Sequence, residues 1–417
     1  MTTDASRLAI DGGEPARITP FPFRAQGFGE EEMAQLAEVV HSGKLNRVGG
    51  AKTEAVERIF SDLIGVKHAL AVSSGTAALH TALAAINPDP GDEVITTPLT
   101  DMGTVIGIIA QGAIPVFADV IPGGYHLDPQ SVCANVTSRT RAIIVVHNIG
   151  QSADMDAFLA ISKEYGIPII EDCAQAYLTT WKGTRVGAMG LINCFSLQQS
   201  KHITSGDGGL VITNDDALAQ RARLFADKGW DRTAEGRGYP FFGMNYRISE
   251  LQSAVTLAQL GKLERICSRR KQLGDLLTEK LVGLRGIYPP QLQEGCDMTY
   301  WFYPLRIVEE ELGRSREWFV TAVRAEGIGC GAWSGLLGQP LYLFEVFSEG
   351  RTFGRSHYPF DSPSASRRIE YGPGLCRNAE RAARELVAMG LHEFYSEGDI
   401  GDTARAVRKV AEAARRG

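Results

Sequence analysis

Three short stretches of this sequence carry residue types that can do chemistry together. Ser74-Gly75-Thr76 follows a short apolar run and precedes a helical one. Backbone N–H groups at a helix N-terminus bind anions, and Ser and Thr hydroxyls add donors, so this turn is a candidate phosphate cradle. The same residue types also cap helices without binding anything. Glu171-Asp172-Cys173-Ala174-Gln175-Ala176 comes directly after the apolar run IPII. Ligands of open parallel sheets bind beyond the carboxyl ends of the strands. An acid there lies at the base of a pocket, and needs a cation or hydrogen bonds to stay charged. Here too a plain helix cap is the competing reading. The third stretch, FSLQQSKHITSGDGG, runs from Phe195 to Gly209. A lysine among polar residues is commonly just solvated. The glycines behind Lys201, however, let the backbone turn sharply and approach another group closely. A lysine held in such a loop near a pocket can have its pKa lowered and attack carbonyls.

The elements that must position these residues follow a regular rhythm. After a Gly- and Pro-rich start, helical spacing covers Glu30 to Ser42, stopped by Gly43, and then Lys52 to Leu63. Strands are expected at His68–Val72, Glu93–Thr96, Ile114–Ala118, Ala142–Val146 and Pro168–Ile170. Helices are expected between them at Ala77–Ala85, Val105–Gln111, Pro129–Val136 and Met155–Tyr165. This alternation implies a mostly parallel sheet covered by helices. Runs such as AIIVV and IPII read as strands buried on both faces. LVIT after Gly209 is a further strand and Asp215–Lys228 a helix. A loose segment rich in Gly, aromatics and Arg comes next, and then one long helix from Glu250 to Leu284. Beyond about residue 290, short strands such as WFYPLRIV mix with helices at 313–326 and 378–390. The chain is thus expected to hold an N-terminal arm over 1–28, a large domain over 29–265 and a small one over 266–417.

Bulk properties narrow the class. The 417 residues exceed one ordinary core. Hydrophobic residues at 44% and charged ones at 22% describe a globular protein rather than a disordered one. The net charge of −6 gives no support to a nucleic-acid partner or to an anionic membrane surface. The basic tail, Arg405, Arg408, Lys409, Arg415 and Arg416, alternates with Ala and Val as the solvated face of a last helix. Seven scattered cysteines without a C-x-x-C pair argue against a disulfide framework and a metal site and fit a reducing cytoplasm. No signal peptide or membrane-spanning stretch is read.

A phosphate cradle, an acid for a ring nitrogen and a lysine for an aldehyde are together what pyridoxal phosphate requires. Their order along the chain resembles the sugar aminotransferases of the DegT/DnrJ/EryC1/StrS family, within the fold-type I pyridoxal-phosphate enzymes. The resemblance runs from about residue 7 to about 400. It rests on SSGTAALHTAL, GDEVITTP, GAIPVFADV, VVHNIGQSADMDA, IIEDCAQA, FSLQQSKHITSGDGG and MNYRISELQSAV. The opening LAIDGGEPAR and the stretch CRNAER resemble the branch that aminates cyclitol ketones such as scyllo-inosose. The implied fold is α/β, with a large mostly parallel sheet domain and a smaller C-terminal α/β domain.

The resemblance also implies roles. Lys201 falls on the Schiff-base lysine and proton shuttle, Asp172 on the acid at the pyridine nitrogen, and Gln175 on the residue near the cofactor's phenolic oxygen. Gly75, Thr76 and Ser196 fall on phosphate contacts, with Ser74 beside them. Asn245 falls on the asparagine that a neighbouring subunit extends to the phosphate, which implies a homodimer with shared sites. His357 and Tyr358 fall where the second domain approaches the substrate. His147 matches a family histidine, and packing is favoured over catalysis for it. One departure stands out. Where the family stacks an aromatic on the ring, this chain has Pro98-Leu99-Thr100-Asp101-Met102, so either Met102 covers the ring or Asp101 contacts it. The expected reaction moves an amino group from glutamine or glutamate to a keto-sugar or keto-cyclitol in aminoglycoside-type biosynthesis. The family branch that dehydrates keto-sugars has histidine in place of the lysine, and Lys201 favours transamination. The rivals are dehydration with aromatisation, as in relatives making aminohydroxybenzoate, and a non-catalytic cofactor-binding partner subunit, whose signature would be a lost lysine. No G-x-G-x-x-G follows the first strand, which argues against a nucleotide-binding dehydrogenase.

Overall fold

The computed structural model describes residues 7–23, 27–236, 238–332, 338–365 and 367–415; Arg416 of the basic tail lies outside them. The chain lays down α1 (Glu30–Ser42) and α2 (Ala51–Ile64), each ended by a glycine at positive φ, Gly43 and Gly65. Alternation then begins: β1 (His68–Val72), α3 (Gly75–Ile86), β2 (Glu93–Thr96), α4 (Gly103–Ala110), β3 (Ile114–Phe117), α5 (Pro129–Asn135), β4 (Thr140–Val146), α6 (Met155–Tyr165) and β5 (Ile169–Asp172). A small hairpin, β6 (Thr180–Trp181) and β7 (Thr184–Arg185), precedes β8 (Ile192–Ser196), β9 (Gly209–Thr213) and α7 (Asp216–Ala226). Seven strands form one sheet in the order β1-β9-β8-β5-β4-β2-β3. All neighbours are parallel except β9, which runs against both β8 and β1. The mostly parallel sheet expected from the alternation is therefore present. Its strands are apolar on both faces because helices cover both.

The second layer differs in two places from the sequence reading. The single helix expected from Glu250 to Leu284 is two, α8 (Glu250–Leu260) and α9 (Leu263–Leu281). They part at Gly261-Lys262, where the Lys262 ammonium turns to the Glu32 carboxylate of α1, 2.7 Å away. Apolar spacing continues across the break, so the pattern alone does not reveal it. After β10 (Ile287–Tyr288), β11 (Tyr303–Ile307), α10 (Glu309–Leu312), α11 (Arg316–Ala325), β12 (Cys330–Ala332) and α12 (Glu345–Ser348), the helix expected at 378–390 stops early. It is α13 (Arg377–Glu385), followed without a loop by β13 (Leu386–Met389), which inserts between β11 and β12. Sheet pairing overrides the helical pattern there. The four strands β10-β11-β13-β12 make an antiparallel sheet, backed by α9, α11 and α14 (Glu397–Ala414).

The N-terminal arm docks on this second layer. Glu326 is fully buried and accepts hydrogen bonds from the amides of Ala9 and Ala16 and from the Lys409 ammonium. Arg17 pairs with Asp399 and Asp402 of α14. The seven cysteines are free thiols. Among the described residues no helix is long and apolar enough to cross a membrane.

Candidate active site

Strand register brings the three stretches together at one edge of the large sheet. Val72, Gly209 and Ser196 lie in one row across β1, β9 and β8. The turn that leaves β1 therefore passes beside the end of β8. Ser74 caps α3, its hydroxyl accepting from the Ala77 amide at 3.0 Å. The helix-cap reading of Ser74 is thus met, and the N-terminus of α3 opens at the same edge. Gly75 is needed for the approach: a Cβ there would sit 2.7 Å from the Ser196 Cβ and 2.8 Å from its Oγ. Gly209 is needed still more, because a Cβ would lie 2.3 Å from the Ser74 carbonyl oxygen. Thr76 faces the start of α4, where Asp101 accepts from the Gly103 amide at 2.8 Å.

Asp172 ends β5 two register positions short of the Ser196 row, opposite Val146 and Cys194. It is buried, with the Thr104 hydroxyl donating at 2.8 Å and the Ala174 amide at 3.1 Å. Burial pushes its carboxyl up, against the pull of Ala174, Thr104 and Lys201. Lys201 sits in the loop between β8 and β9, 8% exposed. The loop is closed by Leu197 and Gly208 pairing at 2.8 Å, with Gly206 and Gly208 at positive φ. Burial pushes the Lys201 amine down to about 8, although Asp172 and Asp101 favour its charge. Both groups are thus driven toward neutrality by the same desolvation. Gln175 commits its Oε1 to the Ile149 amide at 2.7 Å, which leaves Nε2 as the donor end.

Five further expected residues lie around this cluster or away from it. Asp101 is exposed beside Thr76, within electrostatic reach of Lys201, and Met102 is half-buried against the core. Asn245 is exposed in the single chain, one residue before Tyr246, whose carbonyl accepts from Ser73 at 2.8 Å. His357 and Tyr358 lie away from Asp172 within the single chain. The Tyr358 hydroxyl lies against Gly112, which leads into β3, and Ser364 lies against Gly91, which leads into β2. That is the opposite end of the sheet from Asp172, because the segment around residues 357–364 crosses the entrances of these strands. His147 is fully buried, its Nε2 2.9 Å from Glu171 Oε2, and the Ala153 amide donates to its Nδ1. Burial disfavours the Glu171 charge, but His147 and the Gly187 and Gly190 amides hold the carboxyl below its usual range. This pair braces β4 against β5, in line with packing.

Two residues at the site, Thr104 and Trp301, are not among those the motifs single out. Thr104 holds Asp172, and Trp301 lies flat against Lys201 with Nζ 3.7 Å from the ring centroid. The aromatic run Tyr300-Trp301-Phe302-Tyr303 is what marks Trp301, yet it reads equally well as a strand.

A family profile described as the DegT/DnrJ/EryC1/StrS aminotransferase family matches residues 26–349. The chain belongs to that family. Among its relatives, the spore coat polysaccharide biosynthesis protein SpsC of Bacillus subtilis is 31% identical over 405 residues, 94% of this chain and 97% of SpsC. A putative L-glutamine:3-amino-2,3-dideoxy-scyllo-inosose aminotransferase of Streptoalloteichus tenebrarius is 35% identical over 337 residues, 78% of this chain and 79% of the relative. Among solved structures, 3-amino-5-hydroxybenzoic acid synthase superposes with a TM-score of 0.80 at 29% identity, covering 97% of this chain and 100% of that one. As a DegT/DnrJ/EryC1/StrS aminotransferase the chain uses pyridoxal phosphate. The residues fit that cofactor. A buried carboxylate pushed up for want of counter-charge suits a protonated ring nitrogen, and a buried amine near pKa 8 suits an aldehyde. The Gly75 and Gly209 contacts set the α3 N-terminus where a phosphate can meet its amides.

Proposed function

We propose that this aminotransferase moves an amino group from glutamine or glutamate to a keto-sugar or keto-cyclitol, in the making of an aminoglycoside-type metabolite, as a cytoplasmic homodimer. One observation carries the assignment of the reactive centre: Lys201 and Asp172 are buried within electrostatic reach of each other at the strand ends, beside the α3 N-terminus. The acceptor class follows the named relative, which is 35% identical.

Bound pyridoxal phosphate supplies an electron sink that stabilises negative charge on the carbon losing its proton. Asp172, held by Thr104 and Ala174, would keep a positive charge on the ring nitrogen. Lys201 would be the acid–base group, its amine taking the proton from the donor's α-carbon and then giving it to the cofactor carbon that receives the amino group, a role worth roughly 10²–10⁴-fold. The Gln175 Nε2, free to donate, would serve the ring's phenolic oxygen. Ser74, Gly75, Thr76 and Ser196 would hold the phosphate. In this reading residues 29–265 form the cofactor-binding body and residues 266–417 the smaller domain.

The test is purified protein reconstituted with pyridoxal phosphate and given nitrogen-labelled glutamine or glutamate with a panel of nucleotide-linked keto-sugars and free keto-cyclitols. The expected product is an acceptor carrying the label, with none from Lys201→Ala, which also lacks the yellow absorbance of the loaded protein. Loss of water without label uptake would replace this reading with dehydration and aromatisation.

A further inference from the structure

We infer that Trp301 is a positioning residue for the catalytic amine: its indole face is the dock on which the Lys201 ammonium rests whenever the lysine is not covalently engaged. The inference rests on reading Lys201 as the reactive amine.

The geometry is specific. The Lys201 Nζ lies 3.7 Å from the Trp301 ring centroid, well inside the range in which an ammonium is drawn to an aromatic face. Tryptophan is the strongest such face, and the attraction grows when both partners are out of water. Both are: Trp301 and Lys201 are each less than a tenth exposed.

The chain also builds a mount for this ring. The indole N–H donates to the Ser200 carbonyl at 2.7 Å, which ties the ring to the residue directly before Lys201. The Trp301 amide donates to Ile149 at 2.9 Å, and its carbonyl accepts from the buried Arg270 at 3.2 Å. Ile149 is the residue whose own amide binds Gln175, so the mount joins two sides of the site. Tyr300 takes φ of +50° to set up the turn, a conformation unfavourable for an aromatic residue. Two glycines make room for it. A Cβ on Gly150 would meet the Tyr300 amide at 2.7 Å, and one on Gly274, inside α9, would meet the Tyr300 ring at 2.6 Å. A helix-interior glycine is unfavourable in itself, and this contact accounts for it.

Such a dock does two things. It confines a side chain with four rotatable bonds to one side of the cofactor space. It also opposes the desolvation that drives the amine toward neutrality, so the amine can hold the proton it has taken before passing it on.

The test measures the amine itself, in the full chain loaded with pyridoxamine phosphate, where no covalent link occupies the lysine. Carbamylation by cyanate is followed across pH and quantified at Lys201 by peptide mass spectrometry. Replacing Trp301 by Leu should lower the midpoint of Lys201 reactivity by about one pH unit, and Trp301→Phe by less. Protein made with tryptophan fluorinated on its six-membered ring keeps the shape and the N–H but weakens the face, so it reports even where the Leu variant fails to fold; its midpoint should also fall. A midpoint that stays or rises in the fluorinated protein overturns the dock. Because no acceptor is involved, a failed acceptor screen leaves this inference standing, and an unmoved midpoint leaves the aminotransferase assignment intact.

Discussion

In the proposed reading, the chemistry depends on one amine being neutral far more often than a surface lysine is. With burial holding the Lys201 amine at about 8, roughly a tenth of it is neutral at pH 7, against about one part in 2,500 for a free lysine. The direction is fixed: the folded pKa lies below the unfolded one, so the neutral form gains as pH rises through 8 rather than through 10. Recombination of the ligand-free protein with pyridoxal phosphate should therefore quicken about tenfold per pH unit below 8 and level off above it. Stopped-flow absorbance checks this, and a plateau reached only near pH 10 would contradict the lowered pKa. Asp172 makes the complementary case. Its carboxyl is pushed up by burial in the absence of a sufficient cation, and Asp172→Asn removes the charge while keeping the Thr104 contact geometry. That variant should retain the cofactor while losing at least about 10²-fold in kcat, measured with a reconstituted sample of known cofactor content.

At the level of elements, the site depends on how tightly β9 passes the turn between β1 and α3. Gly209 faces the Ser74 carbonyl so closely that a Cβ would come within 2.3 Å of its oxygen. The obstacle is backbone, with no flexible side chain to yield. Gly209→Ala should cost about 2–3 kcal/mol in urea unfolding and loosen cofactor retention, since in the proposed reading the displaced turn cradles the phosphate. Equal stability with equal retention would mean that the cradle tolerates movement. Much of this arrangement was legible in the sequence, because its signals are local. Alternating apolar runs and glycine stops gave His68–Val72, Glu93–Thr96 and Met155–Tyr165 with the bounds the structure shows. The unread features depend on contacts between distant segments. The break at Gly261-Lys262 answers to Glu32, and β13 exists because β11 and β12 flank it. Trp301 belongs to the site because Ile149 and Arg270 hold it there. His357 and Tyr358 rest on resemblance alone, and within one chain the path of the exposed segment sets them at the far end of the sheet.

The whole molecule raises the matter of how many chains make one site. Ser74, Gly75, Thr76, Asp172, Gln175, Ser196 and Lys201 converge within one chain, whereas Asn245 stays exposed. Exposed apolar side chains lie on the same loop, Tyr239 at 53% and Phe242 at 78%, and on α1, Met33 at 63%. Such side chains suit burial against a second copy. A two-fold dimer in which each Asn245 completes the other chain's phosphate site makes a sharp prediction. Lys201→Ala and Asn245→Glu should each be inactive or nearly so, the second because its carboxylate repels the phosphate. Unfolding and refolding the two together in equal amounts gives heterodimers in about half the dimers, each with one site that has both Lys201 and Asn245 intact. Activity should return to about a quarter of the native value. If instead each site were built from a single chain, every chain in the mixture would carry one lesion and the mixture would stay inactive.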